Sequence, residues 1–140
     1  MGDRRVVEDA FEEWANGEGH VSRLFAEDMT WEIAGRSAVS GRYASAADFV
    51  AGVLEPFAWR FPADHPFRPV RIRSVLEDAG TVVVVWDGAG TTVAGTPYEN
   101  TYAWILRMRD GRIVDGLAFF DGSAFDELWF GVPPRNAGGG

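Results

Sequence analysis

The chain has 140 residues, the size of one domain with one core, and no cysteine, which excludes disulfides, thiolate nucleophiles and cysteine-ligated metals together. Its formal charge is -8 and its 13 basic residues are all arginines without a long run. That balance argues against nucleic acid and anionic membrane as partners and favours a neutral or weakly charged small molecule. No apolar run approaches the ~18 residues of a membrane span. The charged, amphipathic start MGDRRVVEDAFEEW does not read as a signal peptide, so a soluble cytoplasmic protein is expected.

From Arg5 to Trp14, Val6, Val7, Ala10, Phe11 and Trp14 recur at helical spacing with acids between them. Asn16-Gly17-Glu18-Gly19 ends that helix, and His20 to Phe25 reads as a second short one on the surface. Asp28 to Ala34 reads as a strand turning at Gly35. Ser45 is a good N-cap for a helix through Phe49, Val53 and Leu54, with a stop at Glu55-Pro56. Phe67 to Leu76 is a strand that sets Val70, Ile72 and Ser74 against Arg71, Arg73 and Val75. Thr81 to Trp86 is β-branched and reads as buried on both faces.

After the Gly-rich link GAGTTVAGTP comes YENTYAWILRM, whose even positions Tyr98, Asn100, Tyr102, Trp104, Leu106 and Met108 share one face as a strand. The turn Arg109-Asp110-Gly111 returns the chain through Arg112 to Asp121, and FDELW begins a last amphipathic segment. Helices first and strands last predict an α+β domain with helices on one face of an antiparallel sheet. The domain is expected over residues 1–130 and a flexible tail over 131–140.

The segments LFAEDMTWEI, AGRSAVSGRY and YENTYAWILRMRDGRIVDGLAFFD, in this order, resemble the nuclear transport factor 2-like superfamily. That group includes SnoaL-like polyketide cyclases, ketosteroid isomerase and limonene epoxide hydrolase. The resemblance covers roughly residues 4 to 130. It implies a cone, a curved sheet wrapped by N-terminal helices around a pocket for apolar or polycyclic ligands, and a homodimer through the sheet's outer face. It specifies fold better than function, because one cone hosts many chemistries.

Carried over residue by residue, the resemblance departs from two of these enzymes. The general base of ketosteroid isomerase falls on Ile33, or on Glu32 with a one-residue gap. Its oxyanion acid falls at or near Trp104 and its helix-one tyrosine near Ala10. The last-strand acid of limonene epoxide hydrolase meets Ala118. SnoaL-like cyclases use a carboxylate near the end of the last strand, and Asp121 is the nearest here.

The family registers imply a cavity lined by Trp31 and Ile33, Val84 and Trp86, Asn100, Tyr102 and Trp104, and Gly116, Ala118 and Phe120. Gly116 and Ala118 are expected to leave it roomy. The same aromatics also fit an ordinary core. Asn100 and Tyr102 need hydrogen-bond partners if buried: a ligand carbonyl, or water and neighbouring backbone. Asp121, pressed by Phe119, Phe120 and Phe125, is either a general acid/base with a raised pKa or a helix N-cap. Asp87, Glu99 and Asp115 point outward in this register.

His20 reads as a surface residue. His65, in FPADHPFRP, either folds over the mouth as a proton carrier or is exposed. Two distant histidines supply no metal site, and GAGTTVAGT lacks the Lys and helix of a phosphate loop, so no cofactor is expected. The expectation is a cofactor-free isomerase or cyclase acting on an apolar cyclic carbonyl, polyketide-like substrate. Asp121 moves the proton, Tyr102 and Asn100 hold the oxygen, and Trp31, Trp86, Trp104 and Phe120 position the rings. The alternative is a non-catalytic binding or dimerisation module of the same fold.

Overall fold

The computed structural model describes residues 2–135. Helix α1 (Asp3–Ala15) buries Val7, Ala10, Phe11 and Trp14 along one stripe, as their spacing predicts. Asn16-Gly17 ends it. Gly17 has φ +76°, and a Cβ there would stand 2.9 Å from the Arg68 guanidinium carbon, so conformation and close approach both require glycine. A 3-10 turn, Val21–Leu24, leads into β1 (Phe25–Ile33).

β2 (Gly41–Tyr43) is a three-residue edge strand that the sequence pattern did not announce. Helix α2 (Ala46–Phe49) is capped as expected: Ser45 Oγ accepts from Asp48 N–H at 3.0 Å. The expected stop at Glu55-Pro56 does not occur, because a π-helical turn, Val50–Leu54, runs directly into α3 (Glu55–Ala58). Pro56 has no N–H, and in α geometry its ring would press on the carbonyl four residues back. The wider turn before it accommodates both.

β3 (Arg68–Asp78), β4 (Thr81–Thr91), β5 (Pro97–Arg109) and β6 (Arg112–Phe120) follow, then α4 (Gly122–Gly131). The sheet order is β2-β1-β6-β5-β4-β3. All neighbours are antiparallel except β1 and β6, which are parallel. The hairpin turns place Ala79-Gly80 and Asp110-Gly111 at positive φ, the pairing that tight two-residue hairpins need. Curved and unclosed, the sheet makes with the helices the expected α+β cone fold. Helix α1 covers β3 and β4, α2 covers β1, and α4 touches β5.

The even residues of β5 from Tyr98 to Leu106 are buried, so that strand's parity is as expected. Two other strands differ. β4 buries Val82, Val84 and Trp86, but Val83 and Val85 are only half-covered, so it is not buried on both faces. In β3 the register slips twice, between Pro69 and Arg71 and between Ile72 and Ser74. Those bulges replace strict alternation with buried or half-buried groups at Pro69, Ile72 and Val75, and leave Val70 64% exposed.

The expected loose tail is not loose at its start. Gly131 closes α4, Val132 is buried, and Arg135 donates from its backbone N–H to Trp59 O at 2.7 Å and from Nε to Phe61 O at 2.9 Å. Residues 136–140 lie outside the described residues.

Candidate ligand-binding cavity

Between the sheet and its helices lies a cavity of about 330 Å³, at the lower end of the range typical of small-molecule sites. Its sheet wall is Trp31, Ile33, Trp86, Tyr102, Trp104, Ala118 and Phe120, seven of the ten residues that the family registers imply. Its helical wall is Phe49, Val53, Leu54, Phe57 and Ala58 with Phe125 of α4, and its rim carries Trp14, His20, Pro66, Phe67 and Arg68. Three expected lining residues, Val84, Asn100 and Gly116, do not reach the cavity. Val84 is wholly buried, and Phe11 of α1 packs behind the wall, 5.3 Å from Trp86 and 5.7 Å from Trp104 between ring centroids.

The wall rings brace one another. Trp86 stacks on Tyr102 at 4.3 Å and 12°, Trp31 on Phe49 at 4.5 Å and 14°, and Trp104 meets both indoles edge-on. Such contacts contribute about 0.5–1.5 kcal/mol each beyond burial and hold the planes where a flat ligand would lie. The indole N–H groups of Trp31 and Trp86 are buried without an acceptor among the described residues. Gly116 is not open space: a Cβ there would stand 2.2 Å from the Trp31 ring. Gly88 likewise seats Phe67. These two glycines make room for protein rings, whereas Ala118 lines the cavity with its short side chain.

Asn100 is committed elsewhere. Its Nδ2 donates to Tyr98 Oη at 2.9 Å and to Asp121 O at 3.1 Å, while its Oδ1 accepts from the N–H groups of Thr101 and Asp121. Both amide protons and both lone pairs are used, so Asn100 ties β5 to the start of α4 and cannot also hold a ligand oxygen. Tyr102 does reach the cavity, with Tyr98 Oη 2.8 Å from its own oxygen. Burial raises both phenol pKa values, Tyr102's well above the ordinary value, so both stay neutral.

Asp121 is not a cavity acid. Its exposed carboxylate accepts from Ser123 N–H at 2.9 Å and Ala124 N–H at 3.3 Å, which makes it the N-cap of α4. No other carboxylate of the described residues lines the cavity. Glu32 pairs with Arg42 outside; Asp87 takes Arg73 and Thr101; Asp115 bonds Thr30; Glu99 is exposed.

His20, read as a surface residue, lines the rim and packs on Trp14 at 4.4 Å. Burial pushes its pKa down to about 4. Its Nδ1 accepts the Ser22 N–H at 3.0 Å and lies 2.9 Å from Ser22 Oγ, so in the neutral ring the proton sits on Nε2. The sequence signal was the spacing His-x-Ser at a turn, which marks a cap but not a cavity. His65, by contrast, is exposed beside Asp64; its neighbours Pro66 and Phe67 form the rim instead. Among the described residues no three His, Cys, Asp or Glu cluster closely enough to hold a metal ion, and no helix is long and apolar enough to cross a membrane.

A cone with an aromatic pocket on one face of its sheet defines a small-molecule-binding class of domain, and comparison with known proteins agrees. The SnoaL-like domain model matches residues 7–116, and the chain belongs to that family. Solved structures share the fold. An NTF2-like protein from Burkholderia thailandensis is 19% identical, with TM-score 0.70 over 91% of this chain and 97% of that one. Bal32a, from a soil-derived mobile gene cassette, is 22% identical, with TM-score 0.71 over 91% and 95%. TerC, crystallised with polyporic acid, is 20% identical, with TM-score 0.66 over 91% and 98%. No curated protein matches.

Proposed function

We propose that this protein binds an apolar, ring-containing small molecule in the cavity and carries or senses it without transforming it. The observation that carries this reading is an aromatic-walled cavity with no carboxylate among the described residues, its expected acid turned outward to cap α4. The remaining candidate base is His20, whose Nδ1 lone pair already serves Ser22 and whose basicity is depressed. Proton abstraction next to a carbonyl needs a free base with a pKa near the working pH. Ring closure or double-bond migration through Asp121 is therefore disfavoured.

Tryptophan fluorescence titrated with polyporic acid and a panel of cyclic carbonyl compounds, with products followed by chromatography, tests this. Saturable quenching without product is expected. Trp104→Ala should weaken binding about tenfold through lost ring contacts. Asp121→Ala should leave affinity within about twofold and cost about 1 kcal/mol of stability as a lost cap. Turnover that disappears in Asp121→Ala would restore the enzymatic reading.

The homodimer belongs to the same reading. Across the outer face, Leu76, Val83, Ile105 and Leu117 pair in one row, and Val85, Ala103 and Phe119 in the next. An apolar patch of that extent on a charged protein favours a covering partner, and a second copy satisfies it. Sedimentation should give a dimer at micromolar concentration and a monomer for Ile105→Glu. A wild-type monomer at that concentration removes the dimer.

A further inference from the structure

The apolar cavity has one polar end. Arg68, at the start of β3, and His20 both contribute to its rim, and both border the loop from Gly17 to Gly19. The Arg68 guanidinium lies directly on Gly17, 2.9 to 3.0 Å from where a Cβ would be, so it rests on a surface that only glycine provides. It is half-buried, yet among the described residues it joins no ion pair and donates to no carbonyl. The buried Arg60 behaves differently: it is spent on Pro56 O and Trp129 O and on the Trp129 ring.

Facing the same rim, His20 has its Nδ1 turned to Ser22, which leaves Nε2–H as a donor with no described partner. A forked guanidinium and a ring N–H at one end of a hydrocarbon chamber form a donor set without an internal acceptor. Guanidinium forks match carboxylates and comparable oxyanions in geometry as well as charge.

We propose that the ligand is an anionic amphiphile, a ring system that fills the aromatic cavity and carries a carboxylate or similar acidic oxygen group held at the rim by Arg68 and His20. This rests on the cavity being the binding site. The acidic chain repels anions at a distance, so the rings supply the bulk of the affinity and the rim selects for the charged end.

Two fluorescent probes with one ring framework separate these contributions: 8-anilinonaphthalene-1-sulfonate carries an anionic group and N-phenyl-1-naphthylamine does not. Wild type is expected to bind the sulfonate probe about tenfold more tightly than Arg68→Gln does, the worth of one charge-assisted contact. Both proteins should bind the neutral probe equally and melt alike. Arg68→Lys should recover part of the loss, and His20→Phe should weaken the sulfonate probe about threefold.

Equal affinity of wild type and Arg68→Gln for the sulfonate probe, or the same loss for both probes, overturns the anion assignment and leaves the cavity reading standing. Failure of folded wild type to bind either probe overturns both. Retention of both probes by Ala118→Phe, which fills the cavity, also overturns both, because binding would then lie elsewhere.

Discussion

Replacing Gly116 by alanine is expected to lower the unfolding free energy by about 2–3 kcal/mol, the usual cost of forcing extra carbon into a packed site. Gly116 lies opposite Trp31 in the parallel β1–β6 ladder, and the new Cβ would stand 2.2 Å from Cε3 and Cζ3 of that indole. Trp31 has little room to retreat. Phe49 stacks on it at 4.5 Å, Trp104 meets it edge-on at 4.9 Å, and Phe25 lies at 5.9 Å.

Any escape for Trp31 is into the cavity, so the same substitution should weaken probe binding. Gly131→Ala, with nothing within 4 Å of the new atom, is the control. Elsewhere Gly→Ala commonly stabilises by about 0.4–1 kcal/mol through the unfolded chain, which sharpens the contrast. Urea unfolding of the two variants decides it. A Gly116→Ala protein as stable as wild type would mean that Trp31 is not seated on β6.

Where local rules act alone, the sequence was sufficient. The helical stripe of α1, the Ser45 cap, the Asp110-Gly111 turn and the inward face of β5 each follow from spacing or turn chemistry within a few residues. The failures share a different cause. Pro56 reads as a stop because propensity cannot see the π turn that accommodates it. The bulges in β3 depend on its pairing with β4, which no single strand encodes, and Val70 at one of them is carried to the outside.

The cavity wall was legible for the same reason as the fold. Trp31, Ile33, Trp86, Tyr102, Trp104, Ala118 and Phe120 come from the registers that the family resemblance implies, and they line the cavity. The polar groups were legible only as alternatives. For Asp121 the sequence left an acid/base role against a helix cap, and for Asn100 a ligand oxygen against neighbouring backbone; four backbone groups at the β6–α4 junction, partners only in the folded chain, decide for the second of each. His20 was missed because its burial comes from Trp14 folding back over the turn, a contact that carries no periodic signal.

That burial has a measurable consequence in acid. Folding lowers the His20 pKa from 6.5 to about 4, so between these values the unfolded chain binds the proton and the folded one does not. Stability therefore rises with pH across this window: the contribution is complete above about pH 6.5 and is lost as pH falls toward 4. At about 1.4 kcal/mol per pH unit the full difference is about 3.5 kcal/mol, and because His20 is only half-buried, water reduces that to about 2.

Two carboxylates act at lower pH than His20. Asp87, held low by hydrogen bonds from Arg73 and Thr101, and Asp64, held low by His65, lose their contributions further down, as pH falls below the ordinary carboxylate value. Urea unfolding at intervals from pH 7.5 to 4 should show the slope in wild type and its absence in His20→Phe, whatever the variant's absolute stability. A slope that survives the substitution would assign the acid sensitivity to another group and return His20 to the solvent-exposed role its sequence context suggested.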